Sequence, residues 1–198
     1  MAAAALGSGG RLGADAAAQL GRTAVDDPDP QVRAAALGAL TRAAPRRTAA
    51  RVWKLAARDP DPIVRRRAAA AAPEIGRLVP IAMLVTLLGD ADPWVAEAAA
   101  FALGERSDRP AIGSLTEQAR HHSDPLVREA AVAALGALGD PGGLAAVLAA
   151  CDDKPAIRRR AVLALAAFEG PEVEARLRQA LADRDWQVRQ AAEDLLHT

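Results

Sequence analysis

The chain has 198 residues, 25 basic and 25 acidic side chains, and a formal net charge of zero. Its apolar share is 51 %, yet 52 residues are alanine and five are aromatic: Trp53, Trp94, Phe101, Phe168 and Trp186. This balance excludes a disordered tail and a bilayer span, which needs about 20 consecutive apolar residues. It also excludes a β-sandwich or barrel, since strands favour aromatic and β-branched side chains whereas alanine favours helix. The single cysteine, Cys151, leaves no internal disulfide and fits a reducing, cytoplasmic setting.

Residues 1–12 read as a flexible lead, without the charged start and long apolar run of a signal peptide. Residues 13–198 read as a single domain built from a repeat. The repeat is clearest in Asp29-Pro30-Gln31-Val32-Arg33, Asp61-Pro62-Ile63-Val64-Arg65, Asp92-Pro93-Trp94-Val95-Ala96 and Asp124-Pro125-Leu126-Val127-Arg128. Looser copies follow at Lys154-Pro155-Ala156-Ile157-Arg158 and Asp185-Trp186-Gln187-Val188-Arg189. The anchors Val32, Val64, Val95, Val127, Ile157 and Val188 lie 32, 31, 32, 30 and 31 residues apart.

Each Asp-Pro predicts a helix start, with Asp as N-cap acceptor and Pro at the first helical position. Behind the anchor, apolar residues recur at helical spacing, as in Val127, Ala130, Ala131, Ala134, Leu135 and Leu138. Gly136 and Gly139 weaken and end that helix. Between successive such B helices a shorter apolar A helix is expected, for example Ile81, Leu84, Val85 and Leu88, or Leu144, Val147, Leu148 and Cys151. Each repeat is thus an antiparallel A–B pair whose apolar faces are buried by stacking on neighbours. The last B helix carries Glu193, Asp194 and His197 at outward positions, as a capping repeat requires.

The motif Asp-x-Asp-Pro-x-Val-Arg-x-x-Ala-Ala, at Asp27–Ala36 and Asp59–Ala69, resembles the short HEAT-like repeats of the phycobilisome lyase type. The resemblance runs from about Ala14 to Leu196. It implies an all-α fold, an α-solenoid forming a right-handed superhelix of about six helix pairs. It implies little about activity, because the repeat serves lyases, hydroxylases, DNA glycosylases and adaptors alike. HEAT-like hydroxylases bind iron through His-Glu dipeptides, and none occurs in this sequence.

Arginine follows the anchor at Arg33, Arg65, Arg128, Arg158 and Arg189, with Ala96 the exception. Six residues before it stands an acid at Asp27, Asp59, Asp90, Asp152 and Asp183, with His122 the exception. The resemblance implies an Asp–Arg ladder between repeats, and an Arg–carboxylate fork suits a lateral arginine. Positions two and six after the anchor should line a concave inner wall. There Arg66, Glu97, Glu129 and Arg159 surround Phe101 and Leu163, and the mixed charge suits another protein or a peptide better than nucleic acid. From Arg42 to Arg77 ten basic residues face Asp59, Asp61 and Glu74, and Arg47, Arg51, Lys54 and Arg58 form one stripe on an A helix. That stripe is either a solvated face or a contact for an acidic partner.

No catalytic, cofactor or metal site is expected. His121 and His122 are adjacent and do not converge on one ion as an i, i+4 pair does, and Cys151 completes an apolar helix face. The reading is a non-catalytic scaffold or adaptor that binds a protein partner on its concave B-helix surface, with no membrane contact. The alternatives are a nucleic-acid-binding or alkylpurine-glycosylase-like protein and a lyase-like enzyme subunit.

Overall fold

A computed structural model describes residues 12–197, which form twelve α-helices and, among the described residues, no strand. Of the expected lead, residues 1–11 lie outside the described residues. Leu12 is tied down, its N–H donating to the Ala43 carbonyl at 2.9 Å. The chain divides into two compact units, Met1–Pro80 and Ile81–Thr198.

The first unit holds α1 (Ala14–Asp26), α2 (Pro30–Ala43), α3 (Arg46–Ala56) and α4 (Pro62–Ile75). Helix α2 packs on α1 and α4, and α3 packs on α1, α2 and α4. Trp53 fills the space between α3 and α4. It is fully buried, and its indole N–H donates to the Ala68 carbonyl at 2.6 Å, which satisfies its one polar atom.

The second unit holds α5 (Ile81–Leu88), α6 (Pro93–Glu105), α7 (Ile112–His121), α8 (Pro125–Leu138), α9 (Pro141–Ala150), α10 (Pro155–Ala164), α11 (Pro171–Ala180) and α12 (Trp186–Leu196). The B helices form a continuous layer in which α8 lies between α6 and α10, and α10 between α8 and α12. The A helices α7 and α9 pack against each other on the other side.

Asp29, Asp61, Asp92, Asp124 and Asp185 each accept a bond from the backbone N–H two residues on, at 2.8–2.9 Å. These helix starts follow from a capping Asp, which Pro follows at every one except Asp185. Helix α10 has Lys154 at its N-cap, which makes no side-chain cap. Helix α8 ends at Leu138, with Gly139 in the left-handed conformation beyond it.

The B helices approach closely because their facing positions are small. A Cβ placed on Gly136 of α8 would fall 2.6 Å from the Ala164 Cβ and 2.9 Å from its Cα. One on Gly104 of α6 would fall 3.1 Å from the Ala134 Cα. Glycine at these points sets the separation of neighbouring B helices, so alanines suffice to fill the core.

Five anchors are buried: Val64, Val95, Val127, Ile157 and Val188. Val32 departs from the pattern at 38 % exposed, because among the described residues no B helix precedes α2. At the position five after the anchor, Leu37, Ala69, Ala100, Val132 and Val162 are buried, but Glu193 of α12 is exposed.

Candidate functional site

Arg33, Arg158 and Arg128 make the same arrangement. Arg33 donates Nε and Nη2 to the two carboxylate oxygens of Asp59, both at 2.8 Å, and Nη1 to the Asp27 carbonyl at 2.9 Å. Arg158 grips Asp183 at 2.9 and 2.8 Å and bonds the Asp153 carbonyl at 3.0 Å. Arg128 does the same to Asp153, at 2.7 and 2.9 Å, and to the His122 carbonyl at 2.8 Å. Each rung thus closes the turn before its own helix and clamps the acid of the following repeat.

Asp152 does not take the expected role: the acid that Arg128 grips is Asp153. The anchor spacing there is 30 residues, the shortest of the five, so the turn is one residue tighter and the acid stands five places before Arg158. Asp153 accordingly caps the very next N–H, of Lys154, at 2.7 Å. Asp152 is 73 % exposed and pairs instead with Arg176 of α11 at 2.5 Å.

Asp27 accepts from the Asp29 N–H at 3.0 Å, as Asp59 does from Asp61 at 2.9 Å. Arg65 and Arg189 close their own turns, through the Asp59 and Asp183 carbonyls at 2.9 and 2.8 Å. Where the acid is missing, His122 substitutes, its Nδ1 accepting from the Asp124 N–H at 3.0 Å.

The rung electrostatics are coherent. The Arg158 and Arg128 hydrogen bonds hold the Asp183 and Asp153 carboxyls below the usual carboxylate value, against an opposing push from burial. At Asp59 burial is the larger single influence and pushes upward, but the bonds from Arg33 and the Asp61 N–H together outweigh it. These pairs tie repeat to repeat and commit Asp59, Asp153 and Asp183 to ion pairs.

The other expected surface lies on the B helices of the second unit. Phe101 is 60 % exposed and Leu163 is 44 % exposed. Between them run two adjoining hollows. One, about 290 Å³, is lined by Glu97, Phe101, Glu105, Leu126, Glu129 and Arg160 over a floor of alanine and glycine. The other, about 320 Å³, continues past Ala133 and Arg160 to Leu163.

Sequence reasoning brought Glu97, Phe101, Glu129 and Leu163 to this surface but chose the wrong arginine. Arg159 turns away and meets Gln187 at 3.3 Å, while Arg160 reaches back across α8 to Glu129 at 3.6 Å. Neighbouring residues on a helix point about 100° apart, so one step in register decides which lines the groove. Glu105 was also missed, because it lies one turn past the positions the repeat pattern singled out. Arg66 is on α4 of the first unit, exposed.

The basic stripe is exposed, as expected for an outer face, but it is less regular than its spacing implied. Arg47, Arg51 and Lys54 lie on α3, whereas Arg58 falls beyond the helix, which ends at Ala56. Arg51, Lys54 and Arg58 border an apolar groove between α1 and α3.

Cys151 is buried, its thiol facing the Val147 carbonyl at 3.6 Å, and burial pushes its pKa up despite the nearby Arg176. Such a thiol is a poor nucleophile. Among the described residues no three His, Cys, Asp or Glu side chains are placed to share a metal ion.

A family model described as HEAT repeats matches residues 1–77 and 81–156. No curated protein sequence matches the chain. Among solved structures, Escherichia coli YibA superimposes with a TM-score of 0.70 at 20 % identity, over 94 % of this chain and 71 % of its own. The complex of CpcE and CpcF of phycocyanin lyase from Nostoc sp. PCC7120 gives 0.67 at 22 % identity, covering 96 % and 78 %. A designed armadillo repeat protein gives 0.62 at 18 %, covering 90 % and 98 %. At these identities the likeness is one of fold.

Proposed function

We propose that this chain, which belongs to the HEAT-repeat family, is a non-catalytic scaffold or adaptor that holds a protein partner on the B-helix face of its second unit. The observation that carries this reading is the pair of adjoining hollows floored by alanine and glycine and flanked by exposed Phe101 and Leu163. Large apolar side chains beside a smooth, small-residue floor give a partner both an anchor and a place to insert one. Glu97, Glu105 and Glu129 around the first hollow disfavour a phosphate backbone and supply orientation for a protein.

The alternative of a lyase-like subunit gains only from the likeness to CpcE and CpcF, itself a complex of two chains, which again points to a protein partner. Among the described residues no helix is long and apolar enough to cross a membrane, and a buried Cys151 as the chain's one cysteine suits the cytoplasm.

The test is affinity capture from the source cell with the parent and with Phe101→Ala. The variant should melt like the parent, since its side chain is largely exposed, and should lose at least about 2 kcal/mol of affinity for the captured partner. Equal binding by a normally folded variant refutes the assignment of this face. A loss of about 3–5 kcal/mol of stability instead would make Phe101 a packing residue.

A further inference from the structure

A second groove lies on the opposite kind of surface, between the A helices α1 and α3 of the first unit. It encloses about 690 Å³ and is lined by Ala17, Ala18, Gly21, Val25, Val52 and Leu55 along its floor and sides. Leu55 is 56 % exposed and Val25 37 %, which is unusual for side chains that could have packed together. At its floor α1 comes close to α3 through Gly21, where a Cβ would fall 3.3 Å from Val52.

The rims of this groove are charged, and nearly all in one sense. Arg22 from α1 and Arg51, Lys54 and Arg58 from α3 and the turn after it border the groove, against one acid, Asp26. Arg47 extends the stripe by one turn. Among the described residues none of these five cations pairs with a carboxylate. The groove therefore combines an apolar trough with a positive border that carries four cations against the single acid Asp26.

We propose that the α1–α3 groove is a docking site for an acidic amphipathic helix of a partner protein, separate from the B-helix face. A helix laid along the trough would place apolar side chains at i, i+3 or i+4, and i+7 against Val25, Val52 and Leu55. Its flanking Glu and Asp would meet Arg22, Arg51, Lys54 and Arg58. Nucleic acid fits less well: the cations are separated by aliphatic side chains, and the groove has no aromatic surface on which a base stacks.

The experiment is fluorescence anisotropy on the full chain with two labelled helical peptides of about four turns. Both carry the same Leu stripe, one flanked by Glu and the other by Lys, and a labelled oligothymidine serves as third probe. The acidic peptide should bind at least about ten-fold more tightly than the basic one, and more weakly as salt rises. Leu55→Ser, and separately Arg51→Gln/Lys54→Gln/Arg58→Gln, should each weaken it about ten-fold. Val25→Ser serves as a second apolar variant, with circular dichroism to verify that each melts normally. Phe101→Ala should bind the acidic peptide as the parent does, so this result is independent of the B-helix reading. Absent or equal binding of the two peptides, indifference to the groove variants, or displacement by oligothymidine at equal concentration each overturns the proposal. So does self-association of the parent that Leu55→Ser abolishes, since the occupant would then be a second copy of this chain.

Discussion

Arg158 holds Asp183 with two parallel hydrogen bonds of 2.9 and 2.8 Å, across 25 residues of chain, while its remaining nitrogen bonds the Asp153 carbonyl. One side chain thereby satisfies a turn of its own repeat and a carboxylate of the next. The arginine side chain is 7 % exposed and the aspartate 15 %, so the pair is shielded from the water that weakens surface ion pairs.

Arg158→Ala should lower stability by about 1–3 kcal/mol, because it strands a partly buried carboxylate and a turn carbonyl. Arg178→Ala, which removes an exposed i, i+4 pair with Glu174, should cost less than about 0.5 kcal/mol. Urea unfolding of both variants makes the comparison. Equal midpoints would show that the lateral arginines are not structural.

The rungs also set an acid limit. Asp59, Asp153 and Asp183 titrate below the ordinary aspartate value of 3.8. Their folded state binds protons less readily than the unfolded chain, so stability falls as pH falls. Their contribution is complete above pH 3.8 and drains away below it, toward the lowered values. Thermal midpoints of parent and Asp183→Asn should therefore differ most near neutrality and converge in that acid window. A gap that stays constant down to acid would refute the linkage.

Close approach of the B helices predicts opposite outcomes for two glycines. Gly136→Ala must force α8 from α10, since the new Cβ would fall 2.6 Å from that of Ala164, and should cost about 1–3 kcal/mol. Gly113→Ala on α7 meets nothing within 4 Å and should be neutral or stabilising by up to about 1 kcal/mol. Differential scanning calorimetry separates them; a stabilised Gly136→Ala would mean that the helices are not in contact there.

Trp53 is fully buried, while Trp94 and Trp186 are 53 % and 64 % exposed. Fluorescence of Trp94→Phe/Trp186→Phe should thus be blue-shifted and protected from acrylamide. Trp53→Phe should destabilise by about 1–3 kcal/mol, through the lost bond to Ala68 and the space left behind. Red-shifted, quenchable emission from the double variant would contradict the packing of α3 on α4.

The expected ladder and groove show where sequence reasoning stops. The Asp–Arg pattern named Arg33, Arg128 and Arg158 but left open whether each bonds its own repeat or the next, and at one rung it pointed to Asp152 instead of Asp153. Spacing records which residues are equivalent only while every turn has the same length, and the 30-residue interval breaks that equivalence. Arg159 and Arg160 pose the same difficulty on a helix: both are arginines, and a single step of about 100° decides which reaches Glu129.

By itself the sequence determined the repeat, the Asp-Pro helix starts, the buried anchors after the first and the all-α class, because each depends on local chemistry or on periodicity along the chain. Caps act over two or three residues, and an apolar stripe at helical spacing must be buried whatever covers it. Only the tertiary structure decided that Arg33, Arg128 and Arg158 reach forward to the next repeat, that Val32 stays exposed, and that Phe101 and Leu163 flank two adjoining hollows. It likewise opened the groove between α1 and α3, where Leu55 is exposed among neighbouring cations. These outcomes depend on how closely two helices distant in sequence approach, and that distance is set by the packing of Gly104, Gly136 and Gly21 against another helix, information that no single segment contains.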